Sequence, residues 1–324
     1  MLIALGLGAL ATALPAFAQQ RDRIRRIGFL YFGTRESAVD SGRYRAFLDG
    51  MRELGYVEGK NFTIEARFAD GKAEPLPSLV TELIRSKPEV IVATGTPVYA
   101  ALKQSTNTIP VVITVTADPV FDGFAASLAR PGGNFTGLST GNVELYPKQI
   151  ELLKAAVPNL SHVALLWNPN NPGHPARLKA MLAISRKAGI KALQVEGRSA
   201  DEIERGFAQI SRDHAQAVVI LNDTFFVQQF RQIATLALKH RLPSMLGAVE
   251  FAEAGGFMGY GQNVVDNFRS AATFVDKILK GAKPGELPFE QPMRLQLVIN
   301  RGTAKAIGLA IPRELLLRAD KVIE

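Results

Sequence analysis

Short, wholly apolar runs that end in a small polar residue followed by proline recur along the chain. The clearest occupy Glu89–Pro97 and Val111–Pro119, and looser versions lie at Val163–Pro169 and Val218–Thr224. An apolar run of this length is typical of a strand that is buried on both faces of a sheet. A Thr or Asp followed by proline is typical of a helix start, so each strand is predicted to lead directly into a helix.

Strand and helix patterns alternate in two series that a glycine-rich turn at Arg130–Gly137 separates. Strands of the first series are predicted at 27–31, 62–68, 90–93 and 111–115, with a strand at 134–139 leaving it. Strands of the second series are predicted at 162–167, 191–196, 217–221 and 243–246. Two such series predict an α/β protein of two Rossmann-like lobes.

The segment after residue 254 does not begin a third series. It contains a strand pattern at 255–261, a helix pattern at 264–279 and an extended pattern at 288–300. We expect these segments to recross between the lobes as hinge strands, so that the lobes close over a cleft. The predicted division is a signal peptide at 1–18, lobe 1 at 24–139 and 256–283, and lobe 2 at 140–255 and 284–324.

The N-terminal residues have the pattern of a secretory signal peptide. Leu2–Leu14 is apolar and uncharged, and Ala16-Phe17-Ala18 is a small-x-small cleavage pattern, although the usual basic region is missing. The alternative is a buried N-terminal helix. The chain contains no cysteine, so it has neither disulfides nor a cysteine that could carry a lipid anchor. We therefore expect a monomeric protein that diffuses freely in the periplasm.

Charge and composition argue against several other classes of function. Lys and Arg exceed Asp and Glu by 38 to 30, but the basic residues are scattered, which favours a solvated basic surface over nucleic-acid binding. The four histidines, at His162, His174, His214 and His240, lack metal-ligand spacing. No H-E-x-x-H motif occurs, and no metal, cofactor or enzymatic activity is predicted.

Several specific stretches match a known family. They are Leu54–Asn61, Ala93–Pro97, Pro110–Ile113, Asp118–Val120, Leu128–Gly137, Asn222-Asp223 and Asn300–Glu324. On these residues the chain resembles the ABC transporter substrate-binding protein family that includes tryptophan- and tyrosine-binding proteins. The resemblance covers the whole mature chain and implies a type I periplasmic-binding fold, with three hinge strands and a ligand enclosed between the lobes.

The resemblance also implies a function, which is to capture a small solute and deliver it to a separate membrane permease and ATPase. An amino acid or a related carboxylate is expected, although 33–40 does not match the loop of the aromatic-amino-acid members. One alternative is a periplasmic sensor that presents its bound solute to a signalling receptor. A repressor effector domain is disfavoured, because such proteins carry a DNA-binding motif ahead of the first strand.

Loops that follow the strands of lobe 1 are expected to line the cleft. Thr96 is predicted to cap a helix that begins at Pro97 and, together with Gly95, to offer hydroxyl and N–H groups to a ligand carboxylate. The alternative is that Thr96 only caps the helix. Asp118 would accept a hydrogen bond from a ligand ammonium or only cap the next turn. Thr116, at the end of its strand, is expected to face the cleft.

In lobe 2, Asp223 is the stronger candidate for binding an ammonium, since a desolvated cation needs a counter-charge. Its neighbours Asn222 and Thr224 are expected to line the same wall. Trp167 and Asn168 could supply an aromatic wall and an amide, although a lone Trp at a strand end is more often core. Weaker candidates, each explained equally well by a structural role, are Thr34, Glu250 and Tyr260.

Overall fold

The computed structural model describes residues 24–291 and 294–324, apart from the side chains of 142–144. The predicted signal peptide at 1–18 lies outside the described residues. None of the helices in the described ranges has the length and apolar character of a membrane span.

The first lobe is built on a five-stranded, all-parallel sheet in the order β2-β1-β3-β4-β5. Its strands are β1 Arg25–Tyr31, β2 Phe62–Phe68, β3 Val90–Thr94, β4 Val111–Thr116 and β5 Phe135–Ser139. Its helices are α1 Arg35–Asp40, α2 Arg43–Glu53, α3 Leu76–Arg85 and α4 Thr96–Ser105. Every residue of the central strand β3 is buried, as its uninterrupted apolar run predicts.

The second lobe is built on a seven-stranded sheet in the order β12-β11-β10-β9-β8-β6-β7, in which only the β10–β11 pair is antiparallel. Its strands are β6 His162–Trp167, β7 Lys191–Glu196, β8 Ala217–Ile220, β9 Ser244–Ala248, β10 Met258–Gln262, β11 Gln296–Asn300 and β12 Lys321–Ile323. The remaining helices are α5 Asn142–Ala156, α6 His174–Lys187, α7 Ala200–Arg212, α8 Thr224–Gln228, α9 Phe230–Lys239, α10 Glu250–Glu253, α11 Val264–Leu279, α12 Arg301–Ala306 and α13 Arg313–Leu317.

The chain passes between the two sheets after β5, after β10 and before β11. The expected division placed 256–283 in lobe 1 as one segment, but β10 pairs with β9 in the second sheet. Glycines allow this pairing, because a Cβ at Gly261 would lie 2.0 Å from the Gly247 carbonyl oxygen. The crossing comes at Asn263, which caps α11, and that helix packs on α2 of lobe 1.

The beginning of the segment 284–324, which was expected in lobe 2, instead contacts the first sheet. Glu290 pairs with the edge strand β5, donating its N–H to Gly137 O at 2.9 Å and accepting from Ser139 N at 2.9 Å. Thr136 Oγ1 also donates to Leu287 O at 2.7 Å. The chain therefore leaves the first sheet at residue 290 and enters the second at Gln296.

Candidate functional site

A cavity of about 80 Å³ lies between the lobes, at the carboxyl ends of the parallel strands of both sheets. Polar side chains and backbone enter it from each lobe, and an apolar wall includes Val227, Phe230 and Leu246. The sequence-predicted residues that line it are Gly95, Thr96, Thr116, Asn222, Asp223 and Thr224. The arrangement suits a compact solute with both polar and apolar surface.

Asp223 is a buried carboxylate with several donors already in place. As the N-cap of α8, its Oδ1 accepts hydrogen bonds from Phe225 N at 2.8 Å and Phe226 N at 3.3 Å. Asn168 Nδ2 donates to Oδ1 at 3.3 Å, and Asn171 Nδ2 donates to Oδ2 at 2.7 Å. Only 5% of the Asp223 side chain is exposed. These bonds fix the orientation of the carboxylate at the cavity wall.

His174 holds the backbone of the two loops that carry Asn168 and Asn222. Its Nδ1 accepts a hydrogen bond from Asn168 N at 2.8 Å, so Nε2 carries the proton and donates to Asn222 O at 3.0 Å. Burial lowers the pKa of His174, and the nearby Asp223 charge opposes this shift. A neutral imidazole with one tautomer therefore connects the loops that follow β6 and β8.

The loop at Gly95 and Thr96 differs from the prediction in one respect. The helix α4 begins at Thr96 itself, with Gly95 at the cap position and no side-chain capping bond, so the predicted capping by Thr96 is wrong. Gly95 has a φ of 108°, and a Cβ there would lie 2.7 Å from Phe32 Cβ. Within the described chain the Thr96 hydroxyl has no hydrogen-bond partner, which leaves it free to contact a solute.

Five predicted residues lie outside the cavity lining: Thr34, Asp118, Asn168, Glu250 and Tyr260. Thr34 caps α1 by accepting from Ser37 N at 3.0 Å. Asp118 caps the turn after β4, where its Oδ1 accepts from Val120 N at 3.0 Å and Phe121 N at 2.9 Å. Tyr260 packs on the apolar cluster of lobe 2.

An ion pair that the sequence did not reveal joins the lobes beside the cavity. Arg177 Nη2, from α6, donates to the two carboxylate oxygens of Asp122 at 2.8 and 3.1 Å, and the side chains are only 5% and 4% exposed. Thr116 Oγ1 also donates to Asp122, at 3.1 Å. Burial raises the pKa of Asp122, against the lowering effect of Arg177. A Cβ at Gly173 would lie 2.6 Å from Arg177 Nη1, so this glycine leaves room for the guanidinium.

A second missed arginine, Arg43, lines the cavity from lobe 1. It is the first residue of α2, is 2% exposed, and donates from Nη1 to Tyr31 OH at 3.2 Å. Glu250 of lobe 2 is nearby, and its Oε1 accepts from Val264 N at 2.9 Å. Burial raises the pKa of Glu250, while the Arg43 charge opposes the rise.

The two-lobed fold that encloses this cavity is the fold of type I periplasmic-binding proteins. A family model described as ABC transporter substrate binding protein matches residues 37–323. The chain therefore belongs to that family, which consists of solute-binding proteins. In the described residues no cluster of three or more His, Asp or Glu side chains could hold a metal ion.

Similar proteins of known name or structure agree with this assignment. A tyrosine-binding protein from Clostridioides difficile is 20% identical over 265 residues, which is 82% of this chain and 76% of the relative. A structure of an ABC domain in complex with L-Trp from Streptococcus pneumoniae has a TM-score of 0.84 and 24% identity, covering 93% of this chain and 100% of that one. A conserved domain protein from Vibrio cholerae has a TM-score of 0.85 and 25% identity over the same shares.

Proposed function

We propose that this protein is the periplasmic substrate-binding component of an ABC importer. It captures an amino acid or a related carboxylate in the interlobe cavity and delivers it to a membrane permease with its ATPase. The observation that carries the proposal is the buried Asp223 carboxylate, which is oriented by four donors and faces the cavity. A buried carboxylate of this kind is the counter-charge that a desolvated ammonium needs.

The known ligands of similar proteins support the same class of solute, since one is named for tyrosine and another was solved with L-Trp. The apolar wall at Val227, Phe230 and Leu246 would accept the side chain of an amino acid. Family membership supports the transport function, because substrate-binding proteins of ABC transporters act outside the cytoplasmic membrane and hand their solute to a permease.

A thermal-shift screen of the purified protein against the common L-amino acids and small organic acids tests the ligand class. Binding stabilises the folded state by mass action, by about 2.7 kcal/mol at a ligand concentration of 100 Kd. We expect at least one amino acid to raise Tm in this way. A response to neutral sugars alone, with none to any carboxylate, would contradict the proposal.

The assignment of Asp223 is tested by Asp223→Asn, which keeps the geometry of a capping side chain but removes its charge. We expect the variant to bind the amino acid at least about 100-fold more weakly, because a buried charge pair is lost. Binding of the deaminated analogue of the same amino acid should change little. Isothermal titration of both compounds measures the difference.

Asp118→Asn is the matched control, because Asp118 also caps a turn but lies outside the cavity lining. We expect it to leave both affinities unchanged. Equal losses for the amino acid and its deaminated analogue in Asp223→Asn would remove the ammonium assignment.

Uptake of the radiolabelled ligand by cells with and without the gene then separates transport from a sensing function.

A further inference from the structure

Arg43 is a buried cation whose hydrogen bonds are incomplete. Its side chain is 2% exposed, yet its one hydrogen bond in the described structure is the one from Nη1 to Tyr31 OH. The Arg43 Nε atom is buried without a hydrogen-bond partner, and within the described ranges no carboxylate forms an ion pair with this side chain. Arg43 also stands in the first turn of α2, where the helix dipole disfavours a cation.

The carboxylate of Glu250 does not supply the missing hydrogen bonds of the Arg43 guanidinium. It belongs to the opposite lobe, and its Oε1 accepts the hydrogen bond from Val264 N, while its buried Oε2 has no partner among the described residues. The other arginine of the cavity, Arg177, differs because Asp122 holds it at 2.8 Å. Arg43 is therefore the charged group of the cavity whose compensation is least complete.

A buried guanidinium with unfilled hydrogen bonds is unfavourable, and an anion that binds it removes part of that penalty. A ligand carboxylate in the cavity would meet this need, since guanidinium and carboxylate form strong, charge-assisted hydrogen bonds. We propose that Arg43 binds the carboxylate of the ligand, opposite the ammonium partner Asp223. The proposal rests on the proposed function for the identity of the site and adds that the ligand is a zwitterion.

In this assignment each lobe binds one of the two charged groups of the ligand. Arg43 comes from α2 of lobe 1, and Asp223 comes from the loop after β8 of lobe 2. The two charges of a single amino acid would then contact both lobes, so that binding favours their closed arrangement. The Thr96 hydroxyl would serve as a neutral donor rather than as the main group that binds the carboxylate.

The test uses Arg43→Gln and Arg43→Lys, with Arg45→Gln as the matched control. Arg45 lies on the same helix, but its side chain is 68% exposed and pairs with Asp49. The probes are L-tyrosine, L-tryptophan and L-leucine, each beside its primary amide, and acetate as a minimal carboxylate. Circular dichroism and the melting temperature without ligand establish that each variant is folded.

We expect Arg43→Gln to weaken binding of the free amino acid by about 100-fold or more and to abolish the preference for the acid over its amide. Arg43→Lys should recover part of that preference, and Arg45→Gln should match wild type. If Arg43→Gln binds the acids as wild type does, the inference is overturned while the proposed function stands. If no amino acid binds wild type but acetate stabilises it through Arg43, the assignment of Arg43 to a carboxylate stands, while a zwitterionic ligand and the amino-acid form of the proposed function are overturned. If neither acetate nor any amino acid binds, both fail.

Discussion

At the scale of single residues, the buried charges of the cleft differ in how completely their neighbours compensate them. Asp223 has four donors, and Asp122 accepts hydrogen bonds from Arg177 Nη2 and from the Thr116 hydroxyl. Glu250 has one backbone donor from Val264, and Arg43 has one tyrosine hydroxyl. A buried charge with few hydrogen-bond partners destabilises the protein without ligand. Ligand binding and pH should therefore act most strongly on Glu250 and Arg43.

Glu250 yields a prediction for the pH dependence of stability. Burial raises its pKa above the ordinary 4.5, helped by Glu253 and opposed by Arg43, so the folded protein binds this proton more tightly than the unfolded chain. The stability that Glu250 contributes is therefore present below the unfolded pKa and is lost as the pH rises through the folded pKa. Glu250→Gln, which keeps an oxygen acceptor for Val264 N, should have a higher Tm than wild type at about pH 7.

The measurement is the Tm difference between Glu250→Gln and wild type across the pH range. The advantage of the variant should shrink towards zero as the pH falls to about 4, where the wild-type carboxyl is protonated as well. Glu286→Gln provides the control, because Glu286 is 74% exposed and pairs with Lys283 on the surface. A difference that is constant with pH, or one that grows in acid, would contradict the explanation.

At the scale of elements, strand pairing explains the glycines of the turn at Arg130–Gly137. Gly137, in β5, has a φ of 137°, and a Cβ there would lie 2.1 Å from the Ile113 carbonyl oxygen of β4. The β4–β5 register shifts beyond this point, between Ile113 and Thr116. Gly132 has a φ of 77°, and Asn134 Nδ2 donates to Ile109 O at 2.8 Å. The motif therefore supports the edge of the first sheet and does not itself contact the cavity.

Gly137→Ala should consequently destabilise the protein strongly. The new methyl group would clash with backbone atoms of β4, and the positive φ would add strain, for a cost of about 2–4 kcal/mol. Gly133→Ala is the control within the same motif, because Gly133 has no positive φ and a methyl group there would meet no atom of the described chain within 4 Å. Urea unfolding of both variants provides the measurement, and similar midpoints for the two would contradict this explanation.

Elements were predictable from the sequence wherever a local pattern determines them. The apolar run before Gly95 became the buried β3, and the run that begins at Val111 became β4. The pairing of β10 with the second sheet was not predictable, because it depends on how closely Gly261 approaches Gly247 on the neighbouring strand. The start of α4 at Thr96 was missed for a related reason, since the glycine conformation at the cap follows from packing against Phe32.

In the candidate site, too, the residues set by a local sequence pattern were predictable and those set by packing were not. Asp223 closely follows an apolar run, and the rule that loops at the carboxyl ends of strands line the cleft was enough to place it there. Arg43 and Arg177 reach the cavity from helices, where a single charged residue normally indicates a solvated face. Only the packing of the two lobes shows that these side chains are buried, so no local signal could have found them.

At the scale of the whole molecule, the two lobes contact one another directly. Phe225, from α8 of lobe 2, packs against the apolar cluster of lobe 1 as well as that of its own lobe. A Cβ at Gly95 would lie 3.4 Å from Thr224 Oγ1 across the cleft. With the Asp122–Arg177 ion pair, these contacts define a closed arrangement. Opening the cleft requires all of them to separate, so their summed strength sets the balance between open and closed forms.

The Asp122–Arg177 pair should contribute much of that balance, because it is buried and Arg177 Nη2 donates to both carboxylate oxygens. Asp122→Asn would leave the Arg177 guanidinium without a counter-charge in the closed form, whereas in the open form water can solvate it. We therefore expect the unliganded variant to have a larger radius of gyration in small-angle X-ray scattering. Its ligand affinity should fall by about 10-fold or more, since apparent affinity scales with the closed fraction.

Saturating ligand should return Asp122→Asn to the compact form, which separates a shift in the open–closed equilibrium from a loss of folding. Glu286→Gln is the control, because its ion pair with Lys283 is 79% and 74% exposed and should contribute little. An Asp122→Asn variant with the wild-type radius and affinity would show that apolar contacts such as that of Phe225 hold the lobes together without the ion pair. The same scattering series on Phe225→Ala would then be expected to show the larger radius.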